Sequence, residues 1–263
     1  MKFWLILPAI VTAVSAHAQA LDQLSAQHES LGAQAPVAAP PAAAVAVTTP
    51  PAAAHIIRRI ALDKSKIIFD DGDTIGYPFE VKDGVLAKDG KPYDGELRLV
   101  GFDTPETVHP HHGIFYDQPF GPEASALTKK LINEGKGIEV VTLGTVDYYG
   151  RVLAYLIIDG KQLGVAQIKA GLAYEGYSRY PNDPMHKLFP AMIAELDDAW
   201  KNHSPLQRAI KQGQQPQVSE PSSWRKKNQQ KDFNVPLDQW RAMTDAQRAE
   251  IVARVRAKVD GGK

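Results

Sequence analysis

From His55 to His203 the apolar clusters are short, and each is closed by Gly, Asp or Pro. Ile67-Ile68-Phe69 runs into Asp71-Gly72. Tyr77 to Val81 runs into Lys82-Asp83-Gly84 and Lys88-Asp89-Gly90-Lys91-Pro92, and Leu97 to Phe102 runs into Asp103-Thr104-Pro105. Short apolar runs ended by turn residues predict strands joined by tight connections. Pro122 to Asn133 follows, with Pro at the first helical position and Ala124, Leu127 and Leu131 at helical spacing. Ile138 to Leu143 and Val152 to Ile158 read as two more strands around Asp147-Tyr148-Tyr149-Gly150, and Leu163 to Lys169 and Lys187 to Lys201 as helices. Three strands, a helix, two strands and two helices predict a small α+β domain, mainly β, with a barrel favoured over a sandwich because the strands are few.

The flanks differ in composition. Met1-Lys2, the apolar stretch Phe3 to Val14 and the overlapping small-residue sites Ala16-His17-Ala18 and Ala18-Gln19-Ala20 describe a signal peptide over 1–18, too short in its apolar part to span a bilayer. Residues 19–54 form a linker, dominated from Ala33 by Ala, Pro, Val and Thr, where repeated proline removes amide donors and disfavours helix. Beyond the 55–203 domain, residues 204–263 are polar and Gln-rich around Trp224-Arg225-Lys226-Lys227. There Thr244 to Gln247 is a capping box ahead of Ile251, Val252, Val255 and Val259 at helical spacing. A single amphipathic helix of this length is marginal alone, so a partly disordered extension is expected unless that helix docks. The mature chain is expected to be exported to the periplasm or medium, without a transmembrane segment.

Net charge is zero, with 30 basic and 30 acidic residues, but the sum hides an asymmetry. The 55–203 domain carries 17 basic against 22 acidic residues, and 204–263 carries 12 against six. An acidic domain is followed by a basic tail. The absence of cysteine excludes a disulfide framework, a thiolate metal site, a cysteine nucleophile and a lipoprotein anchor.

Several carboxylates fall where strands end: Asp70, Asp71 and Asp73 after the first, Asp103 and Glu106 after the third. Carboxylates in turns supply the oxygens a hard cation requires, although spacing alone does not bring Asp73 beside Asp103, and an Asp-Gly pair is often only a turn. Arg98 and Arg151 lie on strands, as surface ion-pair partners or as guanidinium forks for phosphate.

Together these blocks resemble the staphylococcal nuclease (thermonuclease) family. The resemblance rests on Asp71-Gly72-Asp73-Thr74, Arg98-Leu99-Val100-Gly101-Phe102-Asp103-Thr104-Pro105-Glu106-Thr107, Gly121-Pro122-Glu123-Ala124 and Asp147-Tyr148-Tyr149-Gly150-Arg151-Val152-Leu153-Ala154-Tyr155, in the family's order. It implies a five-stranded OB-type barrel with three helices, and a nuclease acting on DNA and RNA with little sequence preference, leaving 3′-phosphate ends. It implies Ca²⁺ held by Asp73, Asp103 and the Thr104 carbonyl, catalysis by Arg98, Glu106 and Arg151, and nucleotide contacts from Tyr149 and Tyr177. Arg179 falls where a second stacking tyrosine is expected, next to Tyr180, so stacking passes to a guanidinium face or a shifted ring. No stable protein partner is implied, and a monomer is expected. The alternative is a non-catalytic nucleic-acid-binding module of the same fold.

Three further features have more than one reading. The aromatic loop Gly113 to Phe120 is longer than expected and reads as a substrate contact or a surface lid. His109-Pro110-His111-His112 reads as a loop that touches phosphate when protonated, since the proline breaks helical pairing of metal-binding histidines. Trp224 and Arg225-Lys226-Lys227 either add phosphate and stacking contacts or are solvated.

Overall fold

A computed structural model describes residues 57–79 and 95–261. The expected signal peptide, the whole of the linker and the turn around Lys82 to Gly90 lie outside the described residues.

The spine of the molecule is an antiparallel pair, β6 (Ile138–Val146) and β7 (Val152–Ile158). Their apolar residues are buried along nearly the whole length, which is why both strands were legible as continuous apolar runs. A bulge between Thr142 and Val146 bends the pair, and the Thr142 hydroxyl satisfies it, donating to Leu153 O at 2.6 Å and accepting from Gly144 N at 2.9 Å. Around this spine lie β1 (Arg58–Ala61), β2 (Ile68–Phe69), β3 (Thr74–Gly76), β4 (Glu96–Leu99) and β8 (Lys161–Gln162). The order is β1-β6-β7-β4-β3-β2, with β8 also on β7 and β4 parallel to β7. A separate two-residue ladder joins β5 (Phe102–Asp103) to β9 (Tyr174–Glu175).

The five-stranded closed barrel expected from the resemblance is not formed: among the described residues no ladder joins β1 to β2. These strands are neighbours in sequence, separated by Leu62 to Ile67, which includes a 3-10 turn at Lys64–Lys66. Leu62 N–H donates to Ile138 O at 2.8 Å and Asp63 N–H to Tyr77 Oη at 3.1 Å. The sheet ends therefore meet through the chain and one tyrosine.

Expected boundaries move for identifiable reasons. Leu97 to Phe102 splits into β4 and β5 because Gly101, at φ +92°, turns the chain where a Cβ would overlap Leu196. β3 lies ahead of the strand expected over Tyr77 to Val81: Tyr77 to Phe79 are outside any strand, and Glu80 and Val81 lie outside the described residues. Helix α1 (Gly121–Glu134) and α2 (Leu163–Lys169) lie where periodicity predicts them. The helix expected over Lys187 to Lys201 is divided into α3 (Pro184–Leu188) and α4 (Pro190–Asp198), running into a π turn at Ala199–His203. Pro190 holds Phe189 out of helical geometry, at φ −121° and ψ 57°.

The core unites Ile75, Leu97, Leu99, Val140, Ile168 and Leu196, all fully buried, and continues into Leu206 and Val218. The C-terminal stretch is not partly disordered with one helix. It folds as α5 (Pro205–Lys211), α6 (Pro221–Asn228), α7 (Leu237–Ala242) and α8 (Asp245–Gly261). The capping box forms, with Thr244 N–H on Gln247 Oε1 at 2.8 Å, and α8 docks by its predicted stripe, Val255 being its buried centre. Arg256 Nε donates to Phe115 O at 2.7 Å, and Tyr116 Oη to Asp260 Oδ1 at 3.0 Å. No helix among the described residues is long and apolar enough to cross a membrane.

Candidate active site

Two turns that sequence spacing could not join lie against each other. The turn before β3 carries Asp71, Gly72 and Asp73; the chain leaving β5 carries Thr104 to Glu106. Thr104 N–H donates to Asp73 Oδ2 at 2.8 Å, and a Cβ on Gly72 would stand 2.7 Å from the Thr104 side chain, so only glycine permits this approach. Helices α1 and α2 brace the turn: Thr128 Oγ1 donates to Gly72 O and receives Gln167 Nε2, both at 2.8 Å or less.

Arg98, on β4 opposite Thr74, spans both carboxylates, with Nη1 on Asp73 Oδ1 and Nη2 on Asp103 Oδ1 at 2.9 Å. Arg179 takes the other Asp103 oxygen at 2.8 Å and also pairs with Glu220.

Glu106 is buried and held by its own backbone. Its N–H donates to Gln118 Oε1 at 3.1 Å, its carbonyl accepts from Gln118 N–H at 2.9 Å, and Gly121, opening α1, packs so closely on that carbonyl that a Cβ would overlap it. Burial pushes the Glu106 carboxyl above the ordinary carboxylate range, opposed by Arg225, whose Nε donates to Oε1 at 2.8 Å while Nη2 contacts the same oxygen.

Arg151 stands on another wall of the same cleft, a space of about 370 Å³. Its Nε and Nη2 both reach Asp147 Oδ2, at 2.9 and 2.8 Å, and its guanidinium lies 5.3 Å from the Tyr149 ring centre. Tyr149 lines the cleft and is exposed. Tyr177 does not line it: its hydroxyl donates to Asp197 at 2.7 Å and the ring packs on the core. Arg179 lines the cleft but is bound to carboxylates, and the exposed ring beside it is Tyr180.

The histidine loop behaves differently from expectation. His109 is buried with Nε2 at 3.0 Å from Asp70 Oδ1 and 3.8 Å from Asp71 Oδ2. Burial alone would lower its pKa, but the Asp70 carboxylate overcomes this and raises it to about 10. The same pairing overcomes burial to hold Asp70 below its ordinary value, whereas burial keeps Asp71 above it. Burial, reinforced by neighbouring cations, lowers His111 to about 4 and His112 to about 2. Neither gains a charge at mildly acidic pH, and His109 spends its charge on Asp70.

The aromatic loop is no lid: Ile114, Phe115 and Gln118 are fully buried. Gln118 and Asp147 carry no signal in the sequence as site residues, and Arg225 was visible only as one of a basic run with a phosphate-contacting and a solvated reading. Gln118 sits in an apolar loop and Arg225 in a polar tail, and neither has a spacing signal; Asp147 was visible only as a turn residue.

A model of the staphylococcal nuclease homologue family matches residues 96–197. The chain carries a staphylococcal nuclease domain. Over 113 residues it is 38% identical to the endonuclease YncB of Bacillus subtilis (strain 168), covering 43% of this chain and 47% of that protein. Over 119 residues it is 37% identical to the thermonuclease of Staphylococcus intermedius, covering 45% of this chain and 61% of that one. The chain thus spans about half the length of the curated relatives it matches.

The matched segment supplies Arg98, Asp103, Thr104, Glu106 and Arg151; Asp73 precedes it and Arg225 follows it. Asp73 and Asp103 form a buried, oxygen-only donor pair, and Thr104 Oγ1 beside them is buried without a hydrogen-bond partner among the described residues. That chemistry fits a hard divalent cation better than a soft one. Two mixed groups, Asp71-Glu106-His109 and Asp70-Glu96-His111, also gather one donor atom per residue within 4.8 Å.

Proposed function

We propose that this protein is an exported, Ca²⁺-dependent nuclease that hydrolyses DNA and RNA with little sequence preference and leaves 3′-phosphate ends. The observation that carries the reading is the convergence of Asp73, Arg98, Asp103, Glu106 and Arg151 on one cleft. The names of the nuclease relatives support it, and the charged, apolar and small-residue stretches of Met1 to Ala20 support export.

Attack on a phosphodiester must place a nucleophile against an anion and stabilise the charge that builds on the phosphoryl oxygens. Arg98 and Arg151 present guanidinium forks to those oxygens from different walls, and Tyr149 offers a ring face to the nucleotide. Glu106 orients the attacking water or accepts its proton, its position fixed by Gln118 and Gly121. Asp73, Asp103 and Thr104 would hold the cation, which when bound supplies Lewis-acid charge at the phosphate. Each donor aimed at developing charge is worth roughly 10²- to 10³-fold in rate.

The test is digestion of denatured DNA by the full chain with Ca²⁺, with chelator, and by E106Q with Ca²⁺. Cleavage that needs Ca²⁺ and falls by about 10²-fold or more in E106Q is expected. Full activity in chelator overturns the metal assignment; binding without cleavage by the wild-type chain turns the reading to a nucleic-acid-binding module.

A further inference from the structure

We propose that Arg225 is a third phosphate-binding guanidinium of this cleft, so that the C-terminal segment 214–235 is an integral part of the substrate site. The inference rests on the nucleic-acid reading above and extends it to a residue outside the matched domain.

Arg225 and Arg98 converge on one oxygen. Arg98 Nη2 is 2.9 Å from Asp103 Oδ1, and Arg225 Nη2 is 3.9 Å from it. Arg225 uses Nε and Nη2 on Glu106, leaving Nη1 without a partner among the described residues, on a side chain 38% exposed to the cleft it lines. A guanidinium has five donors, so it keeps hydrogens for an incoming anion while still touching Glu106.

The charge balance points the same way. Asp73, Asp103 and Glu106 put three carboxylates beside the place where a phosphodiester must lie, and Asp147 already takes the charge of Arg151. Arg98 faces Asp73 and Asp103, Arg179 divides itself between Asp103 and Glu220, and Arg225 is the guanidinium that faces Glu106.

The segment is built in, not laid across. Val218 is fully buried in the main core and its carbonyl accepts Tyr174 Oη at 2.7 Å. Gln118 Nε2, from the residue that seats Glu106, donates to Ser219 O at 2.7 Å. On the far side of α6, Gln230 N–H donates to Gly113 O at 2.7 Å and Gln229 Nε2 to His112 O at 2.8 Å. Glu220 caps α6 through Ser222 and Ser223 N–H, fixing the helix that carries Arg225. A strap meant to leave the cleft would not be pinned at both ends and through the core.

The experiment compares E106Q with E106Q/R225Q as full chains in Ca²⁺, measuring binding of a fluorescent single-stranded oligonucleotide against salt. Replacing both members of the pair avoids leaving a buried carboxylate alone. E106Q/R225Q is expected to bind about 10-fold more weakly, and its log Kd against log salt to lose about 0.7 in slope, the share of one phosphate contact on a single strand. E106Q/R225K, a second and milder variant, is expected to keep the slope and lose about threefold through loss of the fork. Unchanged affinity in both variants overturns the proposal by making Arg225 a structural ion-pair partner. Tighter binding by E106Q/R225Q overturns it by making Arg225 an obstruction. Failure of wild type to cleave bound DNA would instead remove the nuclease reading, leaving the binding comparison intact.

Discussion

His109 is buried beside two carboxylates, and its charge is held in place by them. Its folded pKa of about 10 lies above the ordinary 6.5, so its pairing stabilises the fold fully below about pH 6.5 and loses that contribution as pH rises toward 10. Asp70, held below its ordinary value, withdraws support only at acid pH. The stability difference between wild type and H109Q, from urea unfolding, is therefore expected to be constant near pH 6 and to shrink by pH 10. A difference that grows with pH would show that His109 is buried neutral. At this scale the sequence was legible where a motif named the residue, as with Asp73, Arg98, Asp103, Glu106 and Arg151. It was silent on Gln118 and on the pairing of Arg225 with Glu106, because these partners lie 12 and 119 positions away in directions that only tertiary packing sets.

At the scale of elements, apolar runs and punctuation gave most of the architecture. β6, β7, α1 and α2 were legible because each buries a periodic or continuous apolar set. The breaks at Gly101 and Pro190 were not, because one depends on Leu196 packing over the corner and the other on how far a single proline divides a helix. The start of α1 has a second task, since Gly121 lets the helix abut the Glu106 carbonyl. Gly121→Ala is expected to destabilise by about 1–3 kcal/mol through overpacking and to shift Glu106, lowering kcat more than it raises KM. Urea unfolding and steady-state kinetics check both; an unchanged kcat in a folded variant would mean that Glu106 is placed by Gln118 alone.

Across the whole molecule, the acidic domain and the basic C-terminal region meet at ion pairs: Arg225 with Glu106, Arg241 with Glu96, and Arg179 with Glu220 in the opposite sense. The sequence showed the charge asymmetry but offered a solvated tail as readily as a docked one, because Gln-rich composition carries no packing signal. Val218 is the decisive residue. A chain ending at Gly213 loses it from the core and is expected to be less stable by about 2 kcal/mol, with added loss from the broken ion pairs. Equal midpoints in urea for this truncation and the full chain would return the segment to the status of an appendage.

The pinned position of α6 has a consequence for timing. A growing polypeptide makes Asp73, Arg98, Asp103, Glu106 and Arg151 before it makes Val218 and Arg225. Until those later residues emerge and pack, Glu106 has no guanidinium beside it and Arg179 has no Glu220. The residues of the motif are thus made first, and the side chain that pairs with Glu106 arrives last.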